Sequence, residues 1–390
     1  MSHPLRIAAV EPYFGGSHRH FLLGLQRHST HDMQLFTMPP RMWKWRMRGA
    51  ALHLARALNA AAAKRGAFDV LFCSDFVNVP DLRALLPPAL RTCPIALYMH
   101  ENQLGYPLSP DEDFDPYFGF TNVISCLSAE AVVFNSEFHR RDFLARLPKF
   151  LPRLPDYDRS WVLDTIARRA EVLPVGLDLA ELDAQRPHDS PHDDSPVRRQ
   201  PARILWNHRW EFDKGPERFF GALRTLTERN VPFIVDVAGE SFERRPEIFD
   251  TARAELGERV GQFGMIEDRV DYVRALWSAD IVVSTSHQEY FGISMAEAVC
   301  CGAWPIAPRA LVYEDLYRTA DGAHLYADDR ELVRLLERAC TTSPLVPPAA
   351  LRDRLEAFDW RRLAPQFDRR FAALQQDSEP LGAPRASVDD

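Results

Sequence analysis

Short apolar runs alternate with amphipathic helical segments along both halves of the chain, and this alternation restricts the fold more than any other feature. In the first half, Leu5–Val10 and Ile95–His100 are typical of buried strands, and in the second half Phe233–Ala238 and Ala279–Thr285 are. Strands that alternate with helices pair in parallel, because each helix carries the chain back across the sheet. The sequence therefore predicts an α/β protein with two doubly wound, Rossmann-like parallel sheets.

A polar segment punctuated by prolines, residues 185–201, predicts a linker between the two halves. We expect one Rossmann-like domain over residues 1–184 and a second over residues 202–345. A helical segment over 346–376 and a disordered tail over 377–390 complete the predicted organisation. In such an arrangement the two domains face each other across a cleft, and that cleft is the natural place for a ligand.

The composition excludes several classes of protein. The chain has 390 residues, 46% of them hydrophobic, which suffices for two cores. It has no apolar run long enough to span a membrane, and its first apolar run is too short for a signal peptide. The six cysteines form no CxxC pair and indicate free thiols in a reducing, cytoplasmic setting. A net charge of -8 argues against a generally basic nucleic-acid surface but permits a local basic groove.

Two carboxylates lie around the loop that follows the strand at 279–285. Glu289 precedes Gly292, and Glu297 is expected in the first turn of the next helix. Ligands of open α/β sheets bind at the carboxyl ends of strands, and the free N–H groups of a helix N-terminus favour a phosphate. The loop therefore predicts a phosphate-bearing ligand. The alternative interpretation is that Glu297 only complements the helix dipole.

Two cations follow the first strand of the second half. Arg209 and Lys214 lie between that strand and a helix that is expected to begin at Pro216. Arginine suits bidentate contacts with phosphate, and lysine supplies a point charge. The pair indicates a site for a pyrophosphate, with an ordinary charged surface loop as the alternative.

Two strand ends of the first half carry further candidates. Gly15 and Gly16 follow the first strand, where the backbone can approach a phosphate or sugar, although a glycine pair alone is weak support. His100 ends another strand, where a histidine hydrogen-bonded at a domain edge is the alternative. Asp111 and Asp113 have the spacing of a metal-binding DxD string but lie in a proline-rich acidic loop, so no metal site is predicted. No GxSxG or P-loop lysine motif is present.

Residues 41–48 read RMWKWRMR, in which cations alternate with tryptophan and methionine. This mixture suits the phosphates and splayed bases of an RNA loop. One alternative is an interfacial membrane anchor continued by the Ala- and Leu-rich residues 50–63. Another is that the two tryptophans pack under a solvated rim. The residues expected to contact an acceptor are Arg41, Trp43, Lys44, Trp45 and Arg46.

These features together resemble the retaining glycosyltransferases of family four, which have the two-domain GT-B fold. The resemblance implies that Arg209 and Lys214 neutralise the leaving pyrophosphate. It also implies that Glu289 contacts sugar hydroxyls, Glu297 the ribose, and His100 the region of the sugar's C6 hydroxyl. The remaining donor contacts that it implies are Phe291, Gly292 and Ile293 for phosphate or sugar, Gly264 and Met265 for the base, and Gly15 and Gly16 in the N-terminal loop.

Several longer stretches of the sequence indicate a more specific family. EPYFGGSHRHF, HENQLGYP, ILWNHRWEFDKGPERFF and EYFGISMAEAVCCG are similar to the tRNA-queuosine α-mannosyltransferase family. Members of that family transfer mannose from GDP-mannose to queuosine at the wobble position of tRNA-Asp. The resemblance implies an acceptor-binding N-terminal domain and a nucleotide-sugar-binding C-terminal domain. It further implies GDP-mannose as donor substrate and tRNA as partner, with neither a cofactor nor a metal required and no stable membrane insertion.

Two other functions remain open at this point. A membrane-surface glycosyltransferase would use residues 41–63 to approach a lipid or glycan acceptor. A non-catalytic nucleotide-sugar sensor or RNA-binding protein would keep the same binding residues without turnover. The intact set of carboxylates and cations favours an enzyme, in which stabilisation of the leaving group is the main catalytic contribution.

Overall fold

The computed structural model describes residues 3–108, 113–153, 160–187, 201–241, 246–319, 324–342 and 349–378. Its strands, in chain order, are β1 (Arg6–Glu11), β2 (Asp32–Thr37), β3 (Val70–Ser74), β4 (Ile95–Met99), β5 (Ala131–Phe134), β6 (Ala170–Val172), β7 (Ala202–Trp206), β8 (Phe233–Ala238), β9 (Val260–Gly264), β10 (Ile281–Val283), β11 (Trp304–Pro308) and β12 (Leu325–Tyr326).

Helices connect most of these strands. They are α1 (Gly16–His28), α2 (Trp43–Arg65), α3 (Val79–Leu85), α4 (Pro88–Arg91), α5 (Pro116–Ser128), α6 (Glu137–Phe150), α7 (Ser160–Arg169), α8 (Leu179–Ala184), α9 (Pro216–Glu228), α10 (Ile248–Leu256), α11 (Arg269–Ser278), α12 (Ile293–Cys300), α13 (Tyr313–Tyr317), α14 (Asp329–Thr341), α15 (Ala349–Glu356) and α16 (Trp360–Ser378). Among the described helices, none combines the length and the apolarity needed to cross a membrane.

The chain forms two compact units. Unit 1 comprises Met1–Tyr106, Asp113–Gly176 and Trp360–Asp390, and unit 2 comprises Pro107–Glu112 and Leu177–Asp359. Unit 1 contains a six-stranded sheet in the order β2-β1-β3-β4-β5-β6, and unit 2 contains one in the order β12-β11-β10-β7-β8-β9. All pairs of neighbouring strands in these two sheets are parallel. The predicted α/β class, with two Rossmann-like parallel sheets, is confirmed.

Burial explains why these runs become central strands. Every residue of β3, β4 and β5 is buried. A strand of a parallel sheet is covered by helices on both faces, so it must be apolar along its whole length rather than at alternate positions. The helices that cover the sheets show the complementary pattern: in α9, Phe219, Leu223 and Leu226 are buried while charged residues of the same helix are not.

Each sheet reverses its strand order once, and that point positions the candidate sites. In unit 2 the order proceeds from β7 to β8 and β9 on one side and to β10, β11 and β12 on the other. The loops after β7 and β10 therefore lie at a topological switch point, where open α/β sheets place their ligands. In unit 1 the corresponding point lies between β1 and β3.

The boundaries of the units differ from the predicted domains. The first predicted domain extended to residue 184, but the structure divides the units between Gly176 and Leu177, so α8 belongs to unit 2. The predicted helical segment over 346–376 is not one body, because α15 belongs to unit 2 and α16 to unit 1. Most of the predicted linker over 185–201 and of the tail over 377–390 lies outside the described residues.

Packing accounts for the place of α16. The ring of Trp360, the first residue of this helix, lies against Gly24 of α1 and against Gly176. A Cβ atom at Gly24 would come within 2.3 Å of that ring, and one at Gly176 within 2.1 Å, so only glycine leaves room for the tryptophan. The helix also packs on β3 and β4. The local periodicity of residues 346–376 predicts neither the contacts of Trp360 with the two glycines nor the packing of α16 on β3 and β4.

Candidate functional site

Lys214 lies among the loops that follow β7 and β10. Its Nζ is 3.2 Å from Oδ2 of Asp213 and 3.3 Å from Oε2 of Glu289, and it donates a hydrogen bond to the carbonyl oxygen of Gln288. The residue is buried. Burial by itself lowers the pKa of Lys214, but the charges of Asp213 and Glu289 outweigh it and raise the pKa above its usual value. The side chain is therefore a buried cation at neutral pH.

Glu289 is held on both carboxylate oxygens. Oε2 faces Lys214, and Oε1 accepts a hydrogen bond of 3.1 Å from the backbone N–H of Gly292. Burial by itself raises the pKa of Glu289, but the charges of Lys214 and His208 lower it by a larger amount. The pKa of Glu289 therefore lies below its usual value. Gly292 is the N-cap of α12 and has φ +76°, a left-handed conformation that glycine adopts without strain. The local sequence thus places an ionised carboxylate beside the helix N-terminus.

The two loops contact each other through Gly215. This residue has φ +61°, and a Cβ atom built on it would lie 2.3 Å from the carbonyl oxygen of Thr285. The hydroxyl of Thr285 donates to the carbonyl of Lys214 at 2.8 Å, and the N–H of His287 donates to the carbonyl of Asp213 at 2.7 Å. These backbone contacts fix the position of Lys214 relative to the loop that carries Glu289.

Arg209 lies in the same loop as Lys214 but is much more exposed. Its guanidinium is 3.2 Å from the carboxylate of Glu211, and 38% of its side chain is exposed. Its charge is close enough to Lys214 to lower the pKa of that lysine. The two predicted phosphate-binding cations are therefore neighbours: Lys214 is buried and Arg209 is half-buried.

Glu297 is buried, and it lies beyond the first turn of α12, where the helix dipole acts most strongly. It is the fifth residue of α12, whose first turn contains no acid. The prediction that Glu297 occupies the first helical turn, and the alternative that it only complements the dipole there, are both wrong. The guanidinium of Arg269 contacts both oxygens of Glu297, at 2.6 Å and 3.4 Å, and lies 2.9 Å from Glu181. An arginine fork, not a helix N-terminus, holds this carboxylate.

The remaining donor-side candidates are backbone positions of unit 2. Phe291 is buried with its ring 5.3 Å from that of Phe358, and Ile293 begins α12. Gly264 ends β9 with φ +126°, and the following Met265 has 56% of its surface exposed. An exposed thioether at a strand end offers a polarisable surface to a flat ring.

In unit 1, His100 lies in a cluster that the sequence predicted only in part. It follows β4, as predicted, and its side chain is 8% exposed. Its imidazole stacks on that of His18 with ring centroids 3.9 Å apart, and its Nε2 is 4.0 Å from Oε2 of Glu11. The Nδ1 of His18 is 3.0 Å from the same carboxylate. Glu11 and His18 were not predicted, although both lie within the EPYFGGSHRHF string.

The glycine loop fixes the start of α1 in this unit. Gly15 is the N-cap of the helix, and a Cβ atom there would lie 2.4 Å from Pro40. Gly16 has φ +49°, and a Cβ atom at this position would meet nothing within 4 Å, so its backbone faces open space. The pair therefore serves the turn that brings His18 back over the end of β1.

Glu11, His18 and His100 are also residue types that bind metal ions, and their ligand atoms lie within 4.8 Å of one another. The geometry does not suit one ion. The two imidazole planes are inclined by only 28° and are stacked, so their in-plane lone pairs do not converge at the ~2 Å length of a metal–nitrogen bond. The arrangement fits hydrogen bonding within the cluster better.

The basic-aromatic segment begins a helix rather than preceding one. α2 starts at Trp43 with Met42 as its N-cap, so residues 43–48 form its first turns. The ring of Trp43 packs on Phe118 at 5.0 Å and Phe76 at 6.3 Å, whereas Trp45 is 64% exposed. Trp43 is therefore a packing residue, and Trp45 points to solvent.

The cations of this segment have different surroundings. Arg41 is exposed, and Lys44 lies over the ring of Trp43 at 5.5 Å. Arg46 donates to the carbonyl oxygen of Pro39 at 3.1 Å. Arg48, which was not predicted as a contact residue, lies 5.0 Å above the exposed ring of Tyr117. The beginnings of α2 and α5 therefore form one basic and aromatic surface.

Two family models match the chain. Residues 6–177 match the N-terminal model of tRNA-queuosine alpha-mannosyltransferases, and residues 190–345 match glycosyl transferases of group 1. The two matched regions correspond to the two Rossmann-like sheets.

Solved structures share the fold at low sequence identity. Sucrose-phosphate synthase from Thermosynechococcus elongatus gives a TM-score of 0.71 at 16% identity and covers 96% of this chain and 100% of that one. The catalytic domain of starch synthase IV from Arabidopsis thaliana, bound to ADP and acarbose, gives 0.68 at 15% identity, with 96% and 100% covered. These similarities support the fold alone, which is the GT-B fold of glycosyltransferases.

A curated relative is similar at the level of sequence as well. The tRNA-queuosine alpha-mannosyltransferase of Drosophila melanogaster is 34% identical over 335 residues, which cover 86% of each chain. The 335 aligned residues are too many to come from one unit alone, so the similarity extends into both units. The structure of this chain also contains the Lys214–Glu289 and Arg269–Glu297 ion pairs beside α12. This chain is a glycosyltransferase and belongs to the tRNA-queuosine alpha-mannosyltransferase family.

Proposed function

We propose that this enzyme transfers mannose from GDP-mannose to queuosine in tRNA, with retention of configuration at C1 of the sugar. The observation that carries the proposal is the buried Lys214–Glu289 pair at the N-terminus of α12, in a chain 34% identical to an enzyme named tRNA-queuosine alpha-mannosyltransferase. A buried cation beside the N–H groups of a helix N-terminus suits the pyrophosphate of a nucleotide sugar.

The reaction breaks the bond between C1 of mannose and the oxygen of the β-phosphate. Negative charge develops on that oxygen, and Lys214, Arg209 and the N–H groups at the start of α12 stabilise it. The acceptor hydroxyl of queuosine forms the new bond to C1 on the face that the phosphate leaves, and its proton passes to the departing phosphate oxygen. The balance of this step requires no other reactant.

A covalent intermediate on Glu289 does not fit the site. Retaining glycosidases use a carboxylate that is free to attack C1. In Glu289, one oxygen faces Lys214 and the other accepts from Gly292. This carboxylate is better suited to orient sugar hydroxyls than to act as a nucleophile, which supports the front-face path.

We also propose that the reaction requires neither a divalent metal nor a cofactor. Lys214 and Arg209 lie in one loop and supply two positive charges for the leaving diphosphate. These charges and the helix N-terminus perform the task that a metal performs in other transferases. Activity that is unchanged after extensive treatment with a chelator is the expected result.

The acceptor surface is proposed to be the beginning of α2 together with that of α5. Trp45 offers an exposed ring for stacking on a base, and Arg41, Lys44 and Arg48 supply charge for the phosphate backbone. Gly264 and Met265 are proposed to contact the base of the donor, and Glu297 its ribose. A tRNA substrate agrees with a cytoplasmic location.

One observation favours a second candidate. Met42, Trp45 and Leu52 are 67%, 64% and 69% exposed, and three exposed apolar side chains at the N-cap and within the first three turns of a basic helix also suit a membrane surface. A membrane-surface glycosyltransferase with a lipid or glycan acceptor would use them in this way.

One set of assays distinguishes these functions. The enzyme is incubated with GDP-mannose and with tRNA that contains queuosine, and the nucleosides are analysed by mass spectrometry. A hexose-sized gain on queuosine is expected, and tRNA with unmodified guanosine at the wobble position is the control. Flotation with anionic vesicles and no transfer to tRNA would favour the membrane reaction, and GDP-mannose binding without any turnover would favour a sensor.

A further inference from the structure

Behind His100 lies a buried pair of charged side chains for which the proposed reaction has no direct use. Glu11 ends β1, and His18 lies in the first turn of α1, seven residues later. Both residues are buried, at 3% and 7% exposure. An uncompensated carboxylate in such a place would be strongly unfavourable, so its retention requires hydrogen-bond partners.

Each carboxylate oxygen of Glu11 has a hydrogen-bond partner. Oε1 of Glu11 accepts from the backbone N–H of Tyr13 at 2.7 Å, and Oε2 is 3.0 Å from Nδ1 of His18. Burial lowers the pKa of His18, but the charge of Glu11 and its hydrogen bond outweigh burial and raise the pKa above the usual value. The carboxylate of Glu11 therefore favours the protonated form of the His18 imidazole.

His100 lies directly on this pair. Its ring is stacked on that of His18 with centroids 3.9 Å apart, and Phe21 and Tyr98 contact it edge-on at 5.1 Å and 4.8 Å. A cavity of about 10 Å³ adjoins the imidazole and is lined in part by Glu11 and Tyr98. The ring is therefore held by its stacking on His18 and by the edge contacts of Phe21 and Tyr98.

The same contacts affect the charge of His100. Burial and the neighbouring positive charge of His18 hold the pKa of His100 well below its usual value, so the imidazole is neutral. A neutral imidazole offers both a donor and an acceptor to a sugar hydroxyl. The groups that act electrostatically on His100 and His18 from neighbouring elements are Glu11 on β1, Asp75 after β3, Glu101 after β4 and His139 on α6.

We infer that the Glu11–His18 pair is a positioning unit that fixes the orientation of the His100 imidazole. This inference rests on the proposed function, because His100 is the residue expected beside the sugar's C6 hydroxyl. Glu11 and His18 are buried, so we expect neither of them to contact the sugar directly. They act through His100, as a carboxylate that orients a histidine does in other enzymes.

The test replaces each member of the pair. Glu11→Gln removes the charge and keeps the size, and His18→Phe keeps the stacked ring and removes the charge. We expect each variant to lose kcat at least about tenfold with KM for GDP-mannose changed less than about twofold. Glu11→Asp keeps the charge and is expected to recover part of the loss. His53→Asn, at an exposed histidine of α2, is the matched control and keeps wild-type kinetics.

A second measurement does not depend on activity. Nitrogen NMR of labelled histidines reports the protonation of each imidazole in the folded protein. In Glu11→Gln, His18 is expected to lose its proton at a lower pH than in the wild type. In His18→Phe, His100 is expected to titrate at a higher pH, because the repulsive cation is gone. Unchanged titration of His100 in His18→Phe, or unchanged kcat in both folded variants, overturns the inference.

The two proposals fail in distinguishable ways. A wild-type enzyme that transfers no hexose to queuosine refutes the proposed function. The NMR titrations would still show whether Glu11 and His18 control the imidazole of His100. Wild-type transfer together with unaffected variants refutes the positioning role alone.

Discussion

The Nζ of Lys214 lies 3.3 Å from Oε2 of Glu289, although 75 residues separate them in the chain. Their strands, β7 and β10, are hydrogen-bonded neighbours in the sheet of unit 2. The carboxyl ends of neighbouring parallel strands open at the same edge, so the two loops meet there. The pair is a consequence of strand order as much as of the residues themselves.

Replacing Lys214 by methionine is expected to reduce kcat at least about tenfold, because this substitution removes the buried charge that we propose to stabilise the leaving phosphate. Transfer of mannose to queuosine tRNA at saturating donor measures the effect, with circular dichroism to verify the fold. The matched control is Lys64→Met at the exposed end of α2. A Lys214→Met enzyme with wild-type kcat would contradict the role assigned to this lysine.

Arg269 is expected to determine how well the donor binds. Arg269→Gln leaves the buried carboxylate of Glu297 without this charged partner, so the geometry that we propose for ribose binding is lost. We expect KM for GDP-mannose to rise about tenfold and kcat to change much less. Arg274→Gln, on the same helix but paired with the exposed Asp271, is the control. Equal kinetic effects of the two substitutions would refute the assignment.

The two tryptophans of α2 are expected to have separable effects. Trp43→Ala removes packing on Phe118 and Phe76 and should lower the free energy of unfolding by roughly 1–3 kcal/mol. Trp45→Ala should leave the free energy of unfolding nearly unchanged and weaken tRNA binding by roughly 1–3 kcal/mol. Thermal denaturation and filter binding at fixed salt measure the two quantities. Tight tRNA binding by Trp45→Ala would show that the acceptor lies elsewhere.

Gly215 is expected to tolerate no side chain. Its φ of +61° and the carbonyl oxygen of Thr285 at 2.3 Å from a Cβ position make Gly215→Ala unfavourable by about 1–3 kcal/mol or more. The loop that carries Lys214 should also shift, which lowers kcat. Gly221→Ala, inside α9 with nothing within 4 Å of a Cβ position, should instead stabilise the protein by about 0.5–1 kcal/mol. Chemical denaturation of both variants tests this difference of sign.

His208 is expected to make the protein sensitive to acid. Burial first, and then the charge of Lys214, lower the pKa of His208 to about 4. Between pH 6.5 and about 4 the unfolded chain binds a proton at this residue that the folded chain does not. The stabilisation is therefore complete above about pH 6.5 and is lost as the pH falls through this window, by on the order of 3 kcal/mol.

The measurement is urea denaturation at about pH 7 and about pH 5, on either side of the usual histidine pKa. His208→Gln, which keeps a donor toward the carbonyl oxygen of Val283, should lose less stability between the two pH values than the wild type. His53→Gln on the exposed face of α2 should lose as much as the wild type. The same loss in all three proteins would mean that His208 does not account for the acid sensitivity.

The sequence was sufficient where the signal is local. Alternating apolar runs and helical segments predicted two parallel sheets, because a fully buried strand must be apolar at every position. Gly292 was correctly predicted as a loop residue before a helix. That the carboxylate and cations of the neighbouring loops bind phosphate remains a prediction. His100 was placed correctly at the end of β4 for the same reason.

Contacts between distant segments were decided by the tertiary structure. No spacing rule connects Arg269 with Glu297, or Glu11 with His100, because each pair meets only when separate strands and helices are assembled. The same holds for Trp43 and Trp45, which are two residues apart and chemically identical: the partner rings of Phe76 and Phe118 partly cover Trp43, whereas Trp45 is exposed. Sequence periodicity predicts which face of a helix or strand is apolar. Which residues cover that face depends on how all the helices and strands are assembled.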